Sequence, residues 1–189
     1  MSNEKEVFEQ IKKLRKEVEY TTRDFAINYI IDKFKDDEFY IPDEYQRNFI
    51  WDENHKSKFI ESIILGLPIP FMFFSDTTDG RTEIIDGAQR TQTLEEFLNN
   101  DLELVNLKKL TLLNGFKYND IPPYYQQKFN KTNIRVIVLT DETSLELRQE
   151  IFTRINTTGI KAKDSEVRRG KFMESDFMKF IKECSENIL

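Results

Sequence analysis

Residues 69–98 constrain the fold more than any other part of the chain. Ile69 to Phe74 is apolar throughout, and Thr77-Thr78-Asp79-Gly80 has the residues of a hairpin turn. Arg81 to Ile85 then returns. Two strand-like runs joined by a Thr-Asp-Gly turn predict adjacent antiparallel strands. Asp86-Gly87 follows at once, and a helical pattern runs from there to Phe97 or Leu98. The chain is thereby committed to a strand pair whose second member passes through a tight turn into a helix.

That turn is also where the chemistry concentrates. Asp86 followed three residues later by Gln89 fits a capping box, in which Asp86 accepts amides of the first turn and Gln89 reaches back. Gly87 keeps a side chain out of the turn and lets a ligand approach the backbone. The free amides of a helix start form an anion site, and Arg90 adds five donors in a rigid fork. A phosphate cradle is one reading. The other is an ordinary capped helix whose Arg90 pairs with a surface carboxylate.

The remaining segments arrange themselves around this unit. Val7, Ile11, Leu14 and Val18 give residues 3–18 the spacing of a helix, expected to pack on the core as a chain-terminal element. Residues 22–34 read as a second helix, and Phe39-Tyr40-Ile41 as a short strand ended by Pro42. Residues 43–51 mix aromatics with Gln46 and Arg47 without a clean period, as functional loops do. Arg47 can reach a phosphate there. Tyr45 and Trp51 either stack on a base or anchor the loop in the core, and their largely apolar bodies favour the anchor.

Asp52 caps a helix to Leu65, Gly66 ends it, and Pro68 and Pro70 prevent its continuation. Leu102 to Leu113 suggests short strands. Pro122 or Pro123 opens a short helix, and Asn133 to Thr140 is a strand that should join the same mixed sheet. Residues 143–155 form a helix whose exit carries Arg154 and Asn156. These two either face the ligand of Arg90 or serve as a last-turn cation and a cap. After Asp164 another helix carries Glu166, Arg168, Arg169 and Lys171, and Phe172, Met173, Phe177, Phe180 and Ile181 form a sparse apolar stripe.

Several chemistries are excluded by what the chain lacks. There is no GxxxxGK[ST] loop, so an ordinary P-loop enzyme is ruled out. His55 is the single histidine, too few for a zinc cluster or a Ser-His-Asp triad. Cys184 is the single cysteine, which leaves no internal disulfide framework. The formal net charge of -6 argues against a whole-surface nucleic-acid binder. No apolar run reaches membrane-spanning length and no signal-peptide core is present, so a cytoplasmic protein without a membrane partner is expected.

Four blocks, in order across roughly residues 40–170, resemble a known family. They are Ile41-Pro42 with Tyr45-Gln46-Arg47 and Trp51; Ser62 through Pro70; Ile85-Asp86-Gly87-Ala88-Gln89-Arg90 with Thr93-Leu94; and Phe152-Thr153-Arg154-Ile155-Asn156 with Gly159, then Glu166-Val167-Arg168. Together they resemble the domain-of-unknown-function family 262, which includes the N-terminal part of GmrSD-type, modification-dependent restriction systems. The resemblance implies an α+β, ParB/sulfiredoxin-like fold with a small mixed sheet flanked by helices. It implies three parts: a helical N-terminal segment over 1–38, a nucleotide-binding domain over 39–171, and a C-terminal helix over 172–189 leading toward a further domain.

The resemblance also assigns roles. Asp86, Gln89 and Arg90 become the catalytic candidates. Arg47, Gly87, Ala88, Gln89, Arg90, Arg154 and Asn156 become the nucleotide and phosphate contacts, with Tyr45, Gln46, Trp51, Glu166 and Arg168 in support. The ligand would be a nucleoside triphosphate, with Mg2+ carried by its phosphates and no metal held by the protein alone. In the family the turn is typically Asp-Gly-Gln-Gln-Arg, and here Ala88 replaces the first Gln. The backbone cradle should survive that change. Turnover is put in question, because one poorly placed group costs about a hundredfold in rate. Family members of full length carry a histidine-metal nuclease domain that this sequence does not show.

Two functional expectations result. One is a nucleotide-binding, nucleoside-triphosphate-hydrolysing regulatory domain of a DNA-targeting defence system, meeting DNA through a downstream domain or partner subunit. The other is a non-catalytic DNA-binding or adaptor module, or a degenerate scaffold, using Arg47 and the Arg168-Arg169 spot.

Overall fold

The computed structural model describes residues 2–16, 19–42 and 51–158. Helix α1 (Ser2–Lys16) precedes strand β1 (Tyr20–Ala26), helix α2 (Ile27–Lys35) and strand β2 (Phe39–Tyr40). Helix α3 (Glu53–Ile64), the hairpin β3 (Met72–Asp76) and β4 (Thr82–Asp86), and helix α4 (Ala88–Leu98) follow. Helix α5 (Pro123–Asn130), strand β5 (Asn133–Leu139) and helix α6 (Leu145–Thr158) complete the order. Two compact units meet within α6, one ending at Gln149 and the other starting at Glu150.

The five strands form one mixed sheet in the order β1-β5-β3-β4-β2. β3 and β4 pair antiparallel, β3 and β5 parallel, β1 and β5 antiparallel, and β2 and β4 parallel. The predicted hairpin and the membership of β5 are present, with β3 starting at Met72 and not at Ile69, and the fold class is α+β. Alternation dictates which side chains meet the helices. Met72, Phe74, Ile84, Ile134, Val136 and Val138 join one core with Ile30 and Ile31 of α2, Ile60 and Ile63 of α3, and Phe97 of α4. Ser75, Glu83 and Ile85, at the intervening positions, are buried too.

The helix ends follow their local chemistry. Asp52 caps α3 by accepting the His55 amide at 2.8 Å. Gly66 closes α3 at φ 72°, where an L side chain is disfavoured, and donates to Ile63 O at 2.9 Å. Pro123 opens α5, where its missing N–H costs nothing.

Three expectations need correction. Residues 22–26 are strand, not helix, so the 1–38 segment is not wholly helical. Their ladder to β5, from Tyr20↔Leu139 to Ala26↔Asn133, overrides the helical spacing of the apolar residues, and the helix starts only at Ile27.

Leu102 to Leu113 contains no strand. It is irregular up to a 3-10 turn at Thr111–Leu113. Side chains satisfy its backbone in place of a ladder: Glu61 Oε1 accepts the amides of Lys109 (2.9 Å) and Leu110 (2.8 Å), and Ser57 Oγ accepts Val105 N (3.0 Å). Leu102, Leu104 and Leu107 still reach the core.

Finally, α1 does not pack on the core. Every residue from Asn3 to Arg15 is exposed.

Candidate functional site

The site is built where β4 runs into α4. Gly87 is the N-cap of α4, with φ 113° and ψ 5°. A Cβ there would stand 2.9 Å from Met72 Cγ and 3.1 Å from its sulfur. The glycine is therefore required twice, for a backbone conformation that L residues rarely adopt and for the approach of β3. The neighbour that comes close on its Cβ side is Met72 of the protein itself, where the sequence suggested a ligand.

The capping box is absent. With Gly87 in the cap position, Asp86 sits one residue too early to cap, and no side chain caps the helix. The helix begins at Ala88, two residues past Asp86. The Asp86 carboxylate instead accepts from Arg90 Nη2 at 2.5 Å. Arg90 Nη1 donates to the carbonyls of Pro70 (2.5 Å) and Phe71 (3.2 Å). Its side chain is 11% exposed and that of Asp86 is 25% exposed. Burial pulls the Arg90 guanidinium below the usual arginine range, while the adjacent carboxylate opposes that shift. Arg90 stays cationic, because arginine in proteins is effectively always protonated. It ties together the last residue of β4, the first turn of α4 and the approach to β3.

Gln89 does not reach back either. Its Oε1 accepts the backbone N–H of Trp51 at 2.9 Å, and its Nε2 donates to Gln92 Oε1 at 3.3 Å. Trp51 is half-buried, with its ring edge-to-face against Phe59 at 5.5 Å, as the anchor reading expects. Two sequence blocks far apart in the chain thus meet: the end of the Tyr45-Gln46-Arg47 segment is fastened to the first turn of α4. Tyr45, Gln46 and Arg47 themselves lie outside the described residues, as do Glu166 and Arg168.

What this leaves open is the backbone. The amides of Ala88, Gln89 and Arg90 have no acceptor among the described residues, whereas Thr91 N already bonds Gly87 O at 2.8 Å. Three unpartnered donors at the positive end of an eleven-residue helix can receive an anion. The Ala88 side chain is spent on the core.

Arg154 belongs to the second unit. It is exposed and pairs with Glu150 of its own helix. That helix runs through Asn156 to Thr158 and does not exit at Ile155 as the spacing suggested; the Asn156 side chain lies outside the described set.

The sequence reading missed a polar pair on the other side of the sheet. Glu83 of β4 is 5% exposed, and Arg148 of α6 lies 3.5 Å from its Oε1 while donating to Thr143 O at 2.9 Å. The available signal was Glu83 itself, a carboxylate directly before Ile84-Ile85 in a strand where it is buried. Among the described residues no group of three or more His, Cys, Asp or Glu side chains is placed to hold a metal ion. No described helix is long and apolar enough to cross a membrane.

A small mixed sheet that feeds a strand through a left-handed glycine into an amide-bearing helix start defines an α+β domain organised around one turn. The chain matches the model of the GmrSD restriction endonuclease N-terminal domain over residues 27–173 and belongs to that family, which makes it a domain of a restriction defence system. No curated protein and no solved structure matches it.

Proposed function

We propose that this chain is a nucleotide-binding regulatory domain of a DNA-targeting restriction system, with the first turn of α4 as the seat of a phosphate group. The observation that carries the reading is the set of amides at Ala88, Gln89 and Arg90 behind Gly87, which have no acceptor among the described residues. Oriented amides at a helix start favour an anion without any side-chain rearrangement. The Asp86–Arg90 pair supports the same reading. An unpaired carboxylate two residues before the cradle would repel phosphate, and Arg90 neutralises it. Arg90 thereby becomes a positioning residue first and a phosphate contact second. Arg47 supplies further charge from the segment that Gln89 fastens at Trp51. Magnesium would arrive on the nucleotide phosphates.

Binding is better supported than hydrolysis. Asp86 and Gln89 are the candidates to orient an attacking water, and both are committed, the first to Arg90 and the second to Trp51 and Gln92. Turnover requires one of them to be released.

Calorimetric titration with the four ribonucleoside triphosphates, with and without Mg2+, tests the proposal. Gln89→Glu is the sharpest variant. A carboxylate still accepts the Trp51 amide and suits a helix N-terminus, so thermal stability should hold or rise slightly. The added negative charge in the cradle should weaken nucleotide binding at least tenfold, about 1.4 kcal/mol. Unchanged affinity in the folded variant would remove the turn from the site.

DNA provides the contrast. With a net charge of -6, the chain alone should bind DNA weakly, with affinity falling steeply as salt rises. Tight, sequence-selective binding at physiological salt in a filter or anisotropy assay would favour a DNA-reading module over nucleotide regulation.

A further inference from the structure

Strand β1 is an edge of the sheet whose outer side is open. It stands outermost in the strand order and pairs with β5 alone. The ladder to β5 fixes which backbone groups face outward. Thr140 N bonds Glu19 O at 3.1 Å at one end, and Ile27 N bonds Thr132 O at 3.0 Å at the other. Hydrogen-bonded and non-hydrogen-bonded pairs alternate along an antiparallel ladder. The odd-numbered residues of β1 therefore bond β5, and the N–H and C=O groups of Tyr20, Thr22 and Asp24 point away from the sheet. These groups have no partner among the described residues. Native proteins blunt such edges with short strands, bulges, proline or outward charges. The opposite edge, β2, is kept to two residues, whereas β1 runs for seven in unbroken register without a proline. Its two charges do not guard it. Arg23 reaches inward over β5 to Asp76 of β3 at 3.4 Å, and Asp24 is held by Arg135 of β5 at 2.9 and 3.1 Å.

We propose that β1 pairs antiparallel with β1 of a second copy of this chain, joining the two sheets across a two-fold axis at Thr22. Outward groups must meet outward groups, so even-numbered residues face even-numbered ones. Charge then selects the register. An axis at Arg23 would set the two Arg23 side chains opposite each other, and an axis at Asp24 would oppose two carboxylates. Like charges directly opposite are destabilising. An axis at Thr21 would leave Asp24 beyond the end of the partner strand. At Thr22 both problems vanish. Tyr20 stands opposite Asp24 of the second copy, Thr21 opposite its Arg23, and Thr22 opposite its Thr22. Three pairs of outward residues then exchange about six backbone hydrogen bonds. The seam also covers Tyr20, which is 60% exposed. A two-fold axis needs a patch that complements itself, and this run of outward donors and acceptors does so without opposing like charges. That self-fit identifies the occupant as a second copy. The seam is short, so the dimer forms reversibly and depends on concentration.

Sedimentation equilibrium of the full chain across a hundredfold concentration series tests this. The expected result is a monomer–dimer equilibrium that Thr22→Pro weakens at least tenfold. Proline is tolerated on an edge strand where its missing N–H would face solvent, so the ladder to β5 should survive. Thr22→Glu serves as the second variant. It keeps the backbone donor but sets two carboxylates opposite each other across the axis, and it should weaken the dimer by a similar factor. Thermal melts confirm that both variants fold. The register is read in a Cys184→Ser background under mild oxidation. Thr22→Cys should crosslink to its own copy, because directly opposite residues of a hydrogen-bonded pair lie about 5.5 Å apart at Cα, within disulfide reach. Arg23→Cys should crosslink far less. Preferential crosslinking through Arg23→Cys would overturn the register. A monomer at every concentration, or a dimer indifferent to both Thr22 variants, would overturn the interface.

Discussion

Gly87→Ala should destabilise the domain by about 2–6 kcal/mol, and two separate causes contribute. The backbone at φ 113° lies where an L residue is strained by about 1–3 kcal/mol. The new Cβ would also stand 2.9 Å from Met72 Cγ and 3.3 Å from Met72 Cβ, and Met72 is fully buried in the central strand. Overpacking of that kind costs a further 1–3 kcal/mol or so. For a domain whose whole stability is on the order of 5–15 kcal/mol, the loss is large. Denaturant titration reads the total, and a Met72→Ala background separates the causes. With Met72 truncated, only the backbone cost should remain, so Gly87→Ala should cost about 1–3 kcal/mol less there. An equal cost in both backgrounds would show that Met72 is not the obstacle.

The same turn shows how far a sequence can be read and where it stops. Local signals were sufficient for β3, β4 and α4, because each is announced by its own residues: an apolar run, an Asp-Gly turn and an amphipathic repeat. The Asp52 cap, the Gly66 exit and the Pro123 start were legible for the same reason. The errors arose where partners are distant. β1 is a strand because β5 lies beside it, and nothing within residues 22–26 states that. The leucine-rich stretch after Asp101 has no ladder because Glu61 and Ser57 of α3 satisfy its amides.

At the site, the capping pattern expected of the turn is replaced by other pairings. Asp86, Gln89 and Arg90 do cluster, but a single positive-φ residue shifts the helix start past Asp86 and redirects all three side chains. Asp86 turns to Arg90, Gln89 to Trp51, and Arg90 to the carbonyls before β3. The family match over residues 27–173 bears out the recognition that those motifs suggested, while the partner of each side chain is set by the three-dimensional fold.

Arg90→Ala is the companion test, and its expected effect lies in the fold before it lies in the ligand. Arg90 satisfies three acceptors: the Asp86 carboxylate and the carbonyls of Pro70 and Phe71. Removing it strands a partly buried charge and two peptide oxygens at the entry to the central strand. Hydrogen bonds to charged groups contribute about 1.5–3 kcal/mol each, and breaking a fully buried ion pair costs about 3–5 kcal/mol. The residual exposure of both side chains, 11% and 25%, lowers the expectation to about 2–4 kcal/mol. Arg90→Lys should recover little of this, because one ammonium cannot span the planar arrangement that the guanidinium bridges. Asp86→Asn reduces the charge left behind, so the double variant Asp86→Asn with Arg90→Ala should cost less than the sum of the single changes. Denaturant midpoints for the four proteins give the coupling directly, and additive costs would deny the pair. Nucleotide titration of the same variants, at a temperature where each is folded, then separates the two roles of Arg90. If it only positions the turn, the affinity of the Lys variant should follow that of the Ala variant. A Lys variant that remains destabilised yet binds nucleotide as tightly as the parent would mean that the positive charge itself contacts the phosphate.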